Sequence, residues 1–363
     1  MLKDIDKMFN IAIAAGGSGG HIFPGIAIAQ TFSIKNLGNI IFVGRKDSIE
    51  EKIIRENGFS FYGITAAGFV GKDFFTRIKS ILLILKGIKQ SLKILREQKI
   101  HLVLGTGSYV SVPVVLAAKK LSIPVILQEQ NVIPGKANRF LARFAEKICL
   151  SYPESKKYFP EKKCFITGNP VRKEILNLKK ETNKTIKILI LGGSQGARAI
   201  NEAFCAAWPY LKEREIQFIH QTGEKDFLWV REFYEKNNIP GKVFPFLKDM
   251  AWAYAQANLV ISRAGATTLA EITLIGLPSI LIPYPWAIGH QLYNAKVLEK
   301  VGAAVVIPQE ELTGKRLAET VLDLIKNNQC LKKMTTAALN LGKPEAAEKI
   351  VALCLEVFRE KNL

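Results

Sequence analysis

The sequence predicts an α/β protein of two Rossmann-like halves, each a parallel sheet with helices on both faces. Three observations carry that prediction. Short apolar runs alternate with helical patterns almost throughout the chain. A buried-type strand running into a glycine-rich turn occurs twice, at Ile11 to Gly20 and at Ile188 to Ala197, half a chain apart. The polar, lysine-rich stretch 172–187 between them reads as a linker. Strands are expected at 11–14, 40–43, 102–104, 125–127, 147–150, 188–191, 218–220, 259–262 and 279–283. The domains are placed at 1–168 and 169–344. A final helix from 345, with Ala346, Ile350, Cys354, Val357 and Phe358 on one side, is expected to pack back on the first domain over 345–363.

The remaining bulk features bound the function. A chain of 363 residues can fill two cores. No apolar run reaches the roughly 18 residues that span a bilayer. The N-terminal apolar run, Ile11 to Ala15, follows Asp4 and Asp6 and leads into glycines, so it reads as the first strand and not as a leader. Five scattered cysteines without a Cys-x-x-Cys pair suggest neither disulfides nor zinc, and a reducing compartment. The formal net charge of +19 favours an anionic partner: nucleic acid, an acidic membrane or a phosphorylated substrate.

The loops carry the chemistry. Glycine after a parallel strand lets the chain turn sharply onto a helix N-terminus, whose free amides and partial positive charge favour phosphate. The dinucleotide fingerprint is incomplete, however. Gly17, Gly19 and Gly20 lack the third spaced glycine, and the second strand ends Val43-Gly44-Arg45 without an acid. Gly192 to Gly196 departs likewise, and Asp73 breaks a P-loop at 68–73. A third loop, Arg263 to Glu271, follows the strand at 259–262. Thr268 and Glu271 have capping-box spacing, so Glu271 is either a helix cap or a carboxylate that accepts from ribose hydroxyls. Gln291 and Asn294 follow a strand ending in Pro283-x-Pro285, at the sheet edge where such folds bind ligands.

In order and spacing, several motifs resemble the MurG family, peptidoglycan N-acetylglucosaminyltransferases of the GT-B class, over nearly the full length. They are Gly16 to Gly25 with His21 and Pro24, Gly105 to Pro113, Gln128 to Gly135, Thr167 to Arg172, Gly192 to Arg198 and the two C-terminal loops. The resemblance implies transfer of N-acetylglucosamine from UDP-N-acetylglucosamine to the muramoyl sugar of a polyprenyl-diphosphate-linked peptide (lipid I), giving lipid II. It implies a donor site of Arg172, Ser194, Leu247, Ala266, Thr267, Thr268, Leu269, Ala270, Glu271 and Gln291 in the second half. Asn131, Ser18, Gly19 and Gly20 would serve the donor from the first half. Gly105, Gly107, Ser108 and Tyr109 are acceptor candidates. Ser18 stands where the family has threonine, Ser108 and Val112 where it often has glycine, and Gln128 where it often has histidine.

The implied product is β-linked from an α-linked donor, so the reaction is a single inverting displacement. His21 is the candidate base, against a reading in which it only binds loop backbone. Fixed dipoles serve the leaving diphosphate, with no Asp-x-Asp metal motif. No cofactor or metal is required on this reading, and the motifs carry no signal on stimulation by Mg²⁺.

On the helix expected within 69–96, Phe74, Ile78, Ile81, Leu82, Leu85, Ile88, Leu92 and Leu95 share one face, read mostly as core. Phe69, Phe74, Phe75 and Leu83, beside Lys72, Lys79 and Lys86, are the candidate membrane patch. Such a patch fits an anionic membrane surface, and the resemblance implies a peripheral protein at the cytoplasmic face of a bacterial inner membrane. The lysine row also fits a solvated edge. The alternatives are a GT-B enzyme with another lipid acceptor, a dinucleotide enzyme and a nucleic-acid binder. The last is disfavoured because lysine is dispersed and no nucleic-acid module is present, so no nucleic-acid partner is expected.

Overall fold

A computed structural model describes residues 9–17, 19–66, 74–181, 185–193, 196–285 and 289–361, and for 74–79 the backbone alone. The chain divides into two compact units, Met1–Arg172 with Lys343–Leu363, and Lys173–Gly342. The division therefore follows Arg172, not residue 168. The reason lies in the contacts of 169–172. Asn169 accepts from Gln128 at 3.1 Å, and the Arg172 guanidinium lies 4.3 Å from the Phe23 ring centre, both within the first unit.

The first unit contains β1 (Ile11–Ala14), α1 (Gly19–Ile34), β2 (Ile40–Arg45), α2 (Ile49–Glu56), β3 (Ser60–Ile64), α3 (Phe74–Glu97), β4 (Leu102–Gly105), α4 (Ser111–Lys120), β5 (Val125–Glu129), α5 (Lys136–Leu141), β6 (Lys147–Leu150) and β7 (Cys164–Ile166). The second contains α6 (Lys173–Leu176), β8 (Ile186–Leu191), α7 (Arg198–Leu211), β9 (Ile216–Gln221), α8 (Phe227–Lys236), β10 (Gly241–Phe244), α9 (Met250–Gln256), β11 (Leu259–Ser262), α10 (Ala266–Leu274), β12 (Ser279–Leu281), α11 (His290–Lys300), β13 (Ala304–Val306), α12 (Gly314–Lys326) and α13 (Asn328–Leu341). The last helix, α14 (Ala346–Glu360), returns to the first unit.

Both sheets are wholly parallel. Their strand orders are β3-β2-β1-β4-β5-β6-β7 and β10-β9-β8-β11-β12-β13. The winding is the same in each: the chain runs outward from a central strand, then returns to build the other side. The strand order reverses between β1 and β4, and between β8 and β11. Loops leaving these paired carboxyl ends diverge to opposite faces and open a crevice, the usual ligand position of an open α/β sheet.

The central strands are buried on both faces, which is why they read as unbroken apolar runs. On β1, Ile11 and Ile13 enter one cluster while Ala12 and Ala14 enter the other. Helix α14 covers the first of these clusters with Ile350, Val351, Cys354, Val357 and Phe358. Phe358 stacks on Phe9 with ring centres 4.1 Å apart, and Lys147 on β6 reaches Glu356 at 2.6 Å. Four strands escaped the sequence reading: β3, β7, β10 and β13. All four are sheet edges.

Helix α3 corrects one expectation. Ile81, Leu82 and Leu85 do not face the core; they are 45%, 62% and 56% exposed. The buried side is instead Ser80, Gly87, Ser91 and Leu95. The cause is close approach. A Cβ on Gly87 would lie 2.3 Å from the Thr65 carbonyl and 3.2 Å from Pro113 on α4. Small residues let the backbone in, so Ile81, Leu82 and Leu85 turn outward, while Ile88, Leu92 and Leu95 of the expected face do pack on the core. Leu83 is half-buried and Lys86 exposed. Phe69 and Lys72 lie outside the described residues, as do the side chains of Phe74, Phe75 and Lys79. Among the described residues, no helix is long and apolar enough to cross a membrane.

Candidate active site

In the first unit, the chain leaves β1 through Gly17, whose φ of 89° lies in the left-handed region. Its N–H donates to Glu50 Oε1 at 2.8 Å. Glu50 is buried in the first turn of α2, a helix capped by Ser48, whose Oγ accepts from Glu51 N. Burial by itself would raise the Glu50 pKa. Hydrogen bonds from its own amide, Ser48 and Gly17, with the charge of Arg45, outweigh that and hold the carboxyl below its ordinary value. An internal carboxylate therefore takes a loop amide that a phosphate would otherwise meet.

His21 stands in the first turn of α1, after Gly19 and Gly20; Ser18 lies outside the described residues. Its Nδ1 is 2.8 Å from the Thr106 carbonyl. A carbonyl only accepts, so Nδ1 carries the proton and Nε2 of the neutral ring is the acceptor. Gln130 Nε2 donates to the same carbonyl at 2.6 Å, which fixes the oxygen that fixes the ring. Gly107, at φ 94°, leaves room for this. A Cβ there would lie 3.1 Å from His21 Nδ1 and 3.3 Å from Asn138 Nδ2. Ser108 holds a φ of 72°, and a Cβ on Gly17 would touch Ser108 and Tyr109 at 3.3 and 3.5 Å. Thus Gly17, His21, Gly107, Ser108 and Tyr109 gather at the β1/β4 reversal. Gly105 serves packing: it ends β4, and a Cβ there would meet Leu127 at 2.9 Å.

Asn131 is held by Glu129, a residue of the same motif to which the sequence reading gave no role. Glu129 Oε1 accepts from Asn131 N at 2.9 Å and from its Nδ2 at 3.1 Å. Glu129 Oε2 accepts from Gly135 N and Asn138 Nδ2 at 3.1 and 2.9 Å. A buried carboxylate surrounded by amide donors fixes a loop firmly. Gln128 is fully buried, bonded to Asn169 and Gln130, and so belongs to the framework. Arg172, expected at the donor, is seated on Phe23 in this unit.

In the second unit, Gly192 and Gly196 are required by contacts: added Cβ atoms would meet Ala197 N and the Thr222 carbonyl, each at 2.4 Å. Gly193, at φ 78°, faces open space, and its carbonyl accepts from Gln221 Nε2 at 3.2 Å. Ser194 lies outside the described residues. After β11, Gly265 opens α10, and Leu269 N makes the bond back to Gly265 O at 2.9 Å. The amides of Ala266, Thr267 and Thr268 precede that bond and lie at the positive helix end. Leu269 is buried with its amide spent in the helix, and Ala270 lies a residue deeper, so neither extends the amide cluster.

Glu271 does not cap α10. The N-cap is Gly265, without a side-chain bond, and Glu271 is 4% exposed, with Oε2 accepting from Tyr254 OH at 2.9 Å. Gln291 Oε1 accepts from Ala264 N at 3.2 Å and Tyr284 N at 3.0 Å, tying the loops after β11 and β12 together and leaving its Nε2 as the donating end. Arg263 braces the same two loops, with Nη1 on the Ile282 carbonyl at 3.2 Å and Nη2 on Gln309 Oε1 at 2.6 Å. Leu247 is buried beyond β10, and Asn294 is fully buried in α11. Of the expected donor residues, the structure thus gathers Ala266, Thr267, Thr268, Glu271 and Gln291.

His220 is a structural histidine. Nε2 donates to Asn201 Oδ1 at 3.0 Å and Nδ1 accepts from Tyr234 OH at 3.2 Å, and burial pulls its pKa down to about 3. Among the described residues, no three His, Cys, Asp or Glu side chains cluster to hold a metal ion.

Two doubly wound parallel sheets with glycine-rich loops at their reversal points are the two Rossmann-like units of the GT-B fold, the fold of one class of glycosyltransferase. Residues 11–150 match the glycosyltransferase family 28 N-terminal domain, and residues 187–350 its C-terminal domain. The chain is 44% identical to the UDP-N-acetylglucosamine–N-acetylmuramyl-(pentapeptide) pyrophosphoryl-undecaprenol N-acetylglucosamine transferase of Thermodesulfovibrio yellowstonii, covering 97% of this chain and 100% of that one. The enzyme of that name from Syntrophus aciditrophicus is 42% identical, with 96% and 99% covered. The crystal structure of Acinetobacter baumannii MurG superposes with a TM-score of 0.77 at 30% identity, over 96% of this chain and 99% of that one. A Neisseria meningitidis UDP-GlcNAc 2-epimerase, at 13% identity and a TM-score of 0.67 over 96% of this chain and 100% of that one, shares the fold. The chain belongs to glycosyltransferase family 28, in its MurG branch.

Proposed function

We propose that the protein moves N-acetylglucosamine from UDP-N-acetylglucosamine to the muramoyl sugar of an undecaprenyl-diphosphate-linked peptide, in peptidoglycan synthesis. Family membership over the whole chain supports the reaction. The observation that carries the division of labour is the pinned His21 ring in one unit and the α10 N-terminus with buried Glu271 in the other. The 4-hydroxyl oxygen of the acceptor forms the new bond to the anomeric carbon as the bond to the UDP β-phosphate oxygen breaks. His21 Nε2 takes the hydroxyl proton, and the departing diphosphate keeps the electron pair. The Ala266–Thr268 amides stabilise that charge, and Glu271 accepts from the ribose hydroxyls. Fixed amide dipoles lie ready for the charge as it develops, so the reading calls for no cofactor.

The acceptor is lipid-linked, and α3 offers a way to reach it. Its exposed Ile81, Leu82 and Leu85, beside exposed Lys86 and Lys89, suit an anionic membrane surface. This reading keeps Lys86 of the expected patch, takes exposed Ile81, Leu82 and Leu85 in place of half-buried Leu83, and has the protein peripheral at the cytoplasmic face. Sedimentation with anionic vesicles should fall severalfold for the triple variant I81S/L82S/L85S and fall with salt. Equal, salt-insensitive binding to neutral vesicles would contradict it. The reaction is tested with UDP-N-acetylglucosamine and a lipid I analogue. UDP release should require both, and release from the donor regardless of acceptor would sink the assignment.

A further inference from the structure

Tyr254 has no exposed surface and is among the largest fully buried side chains of the protein. It lies on α9, whose start is fixed by Asp249 accepting from Trp252 N at 2.8 Å. Its hydroxyl donates to Glu271 Oε2 at 2.9 Å, helix to helix, between two buried groups. A carboxylate on a flexible stem can turn about its last torsion, and a donor on one oxygen resists that turn. A phenol does so without adding positive charge, so the carboxylate keeps its strength as an acceptor for further hydroxyls. The bond forms in a buried site, where it is stronger than in water and where its loss is felt.

We propose that Tyr254 is a positioning residue for the donor ribose: by holding Glu271 Oε2 it sets the carboxylate plane that the ribose hydroxyls meet. The proposal rests on the reading of Glu271 as the ribose acceptor. The bond explains a residue that touches no expected ligand yet spends its only polar atom on the site. It also gives Glu271 an anchor other than a helix cap.

The test compares UDP-N-acetylglucosamine with its 2′-deoxyuridine and 3′-deoxyuridine counterparts, in the parent and in Tyr254→Phe. The parent should lose affinity for at least one deoxy donor. In Y254F, KM for the normal donor should rise about tenfold with kcat little changed, and the penalty for the deoxy donor should shrink severalfold. A parent that treats all three donors alike would remove the ribose reading of Glu271 itself. A parent that discriminates, with a Y254F that discriminates equally, would leave that reading standing and overturn the role of Tyr254. Glu271→Gln and Glu271→Ala provide a check that does not depend on how Y254F folds. With Tyr254 claiming the amide oxygen, E271Q presents its NH₂ to the ribose and should bind donor no better than E271A to within about threefold. Recovery of most of the parent affinity in E271Q would show a side chain free to turn, and would overturn the proposal.

Discussion

The two glycine loops have the same sequence design and different surroundings. After β1, Gly17 donates to an internal carboxylate, Glu50, and the loop packs against Ser108 and Tyr109. After β8, Gly192 N and Gly196 N bond to carbonyls of Gln221 and Gly193, no carboxylate is seen on the described amides, and Gly193 faces open space. A strand–glycine–helix turn is thus a scaffold that either brings an anion or supplies its own. The first loop spends its Gly17 amide on an anion of its own beside a histidine; the second keeps open space at Gly193.

The largest expected effect breaks the first loop's chemistry. His21→Ala should lower kcat by about 10²–10⁴-fold, with KM for UDP-N-acetylglucosamine nearly unchanged, in steady-state assays on a soluble acceptor. Activity within severalfold of the parent would remove the base assignment. Glu271→Ala should cost about 100-fold in kcat/KM, through donor KM, because charge-assisted bonds to two hydroxyls are lost. Glu50→Ala touches neither substrate. It should lower unfolding free energy by roughly 1–2 kcal/mol through loss of the charge-assisted bond from Gly17, whose exposed amide water can then reach, measured by urea titration. Because its folded pKa is lowered, Glu50 stabilises above its unfolded value, and the contribution disappears as pH falls through the folded one. Gly107→Ala, at φ 94° and against His21, should cost about 1–3 kcal/mol and depress kcat with it. The smallest effect at neutral pH concerns the second unit's core, where His220 acts only in acid. His220 binds a proton less readily folded, at about 3, than unfolded, near 6.5. Stability should therefore fall as pH drops from 6.5 toward 3, by roughly 1 kcal/mol per pH unit from this group, and His220→Gln should flatten that slope.

The sequence made the sheet interiors legible and the edges illegible, for one reason. Strands covered on both faces must be apolar at every position, as at Ile188 to Leu191. Edge strands such as Cys164–Ile166 and Gly241–Phe244 are half-exposed, so their residues carry no such mark. Helix α3 misled in part, for the opposite reason. Ile88, Leu92 and Leu95 pack on the core as their spacing suggests, but at Ser80, Gly87 and Ser91 the small residues are buried while Ile81, Leu82 and Leu85 are exposed, a choice made by the close backbone of Thr65 and invisible in hydropathy. The site was readable where glycines and His21 mark the chain. Its supports were not, because Glu50, Glu129, Gln130 and Tyr254 lie far from the residues they hold or read as ordinary polar and core positions. The Ser48-x-x-Glu51 cap was the one local signal that set Glu50 at a helix start.

The division of labour between the loops is tested most directly by titrating UDP into the parent, His21→Ala and Glu271→Ala proteins in a calorimeter, beside their turnover. The account predicts that H21A binds UDP as the parent does while losing turnover, and that E271A loses UDP affinity by about 100-fold. Loss of UDP binding in H21A to match E271A, or unaltered UDP binding in E271A, would contradict it.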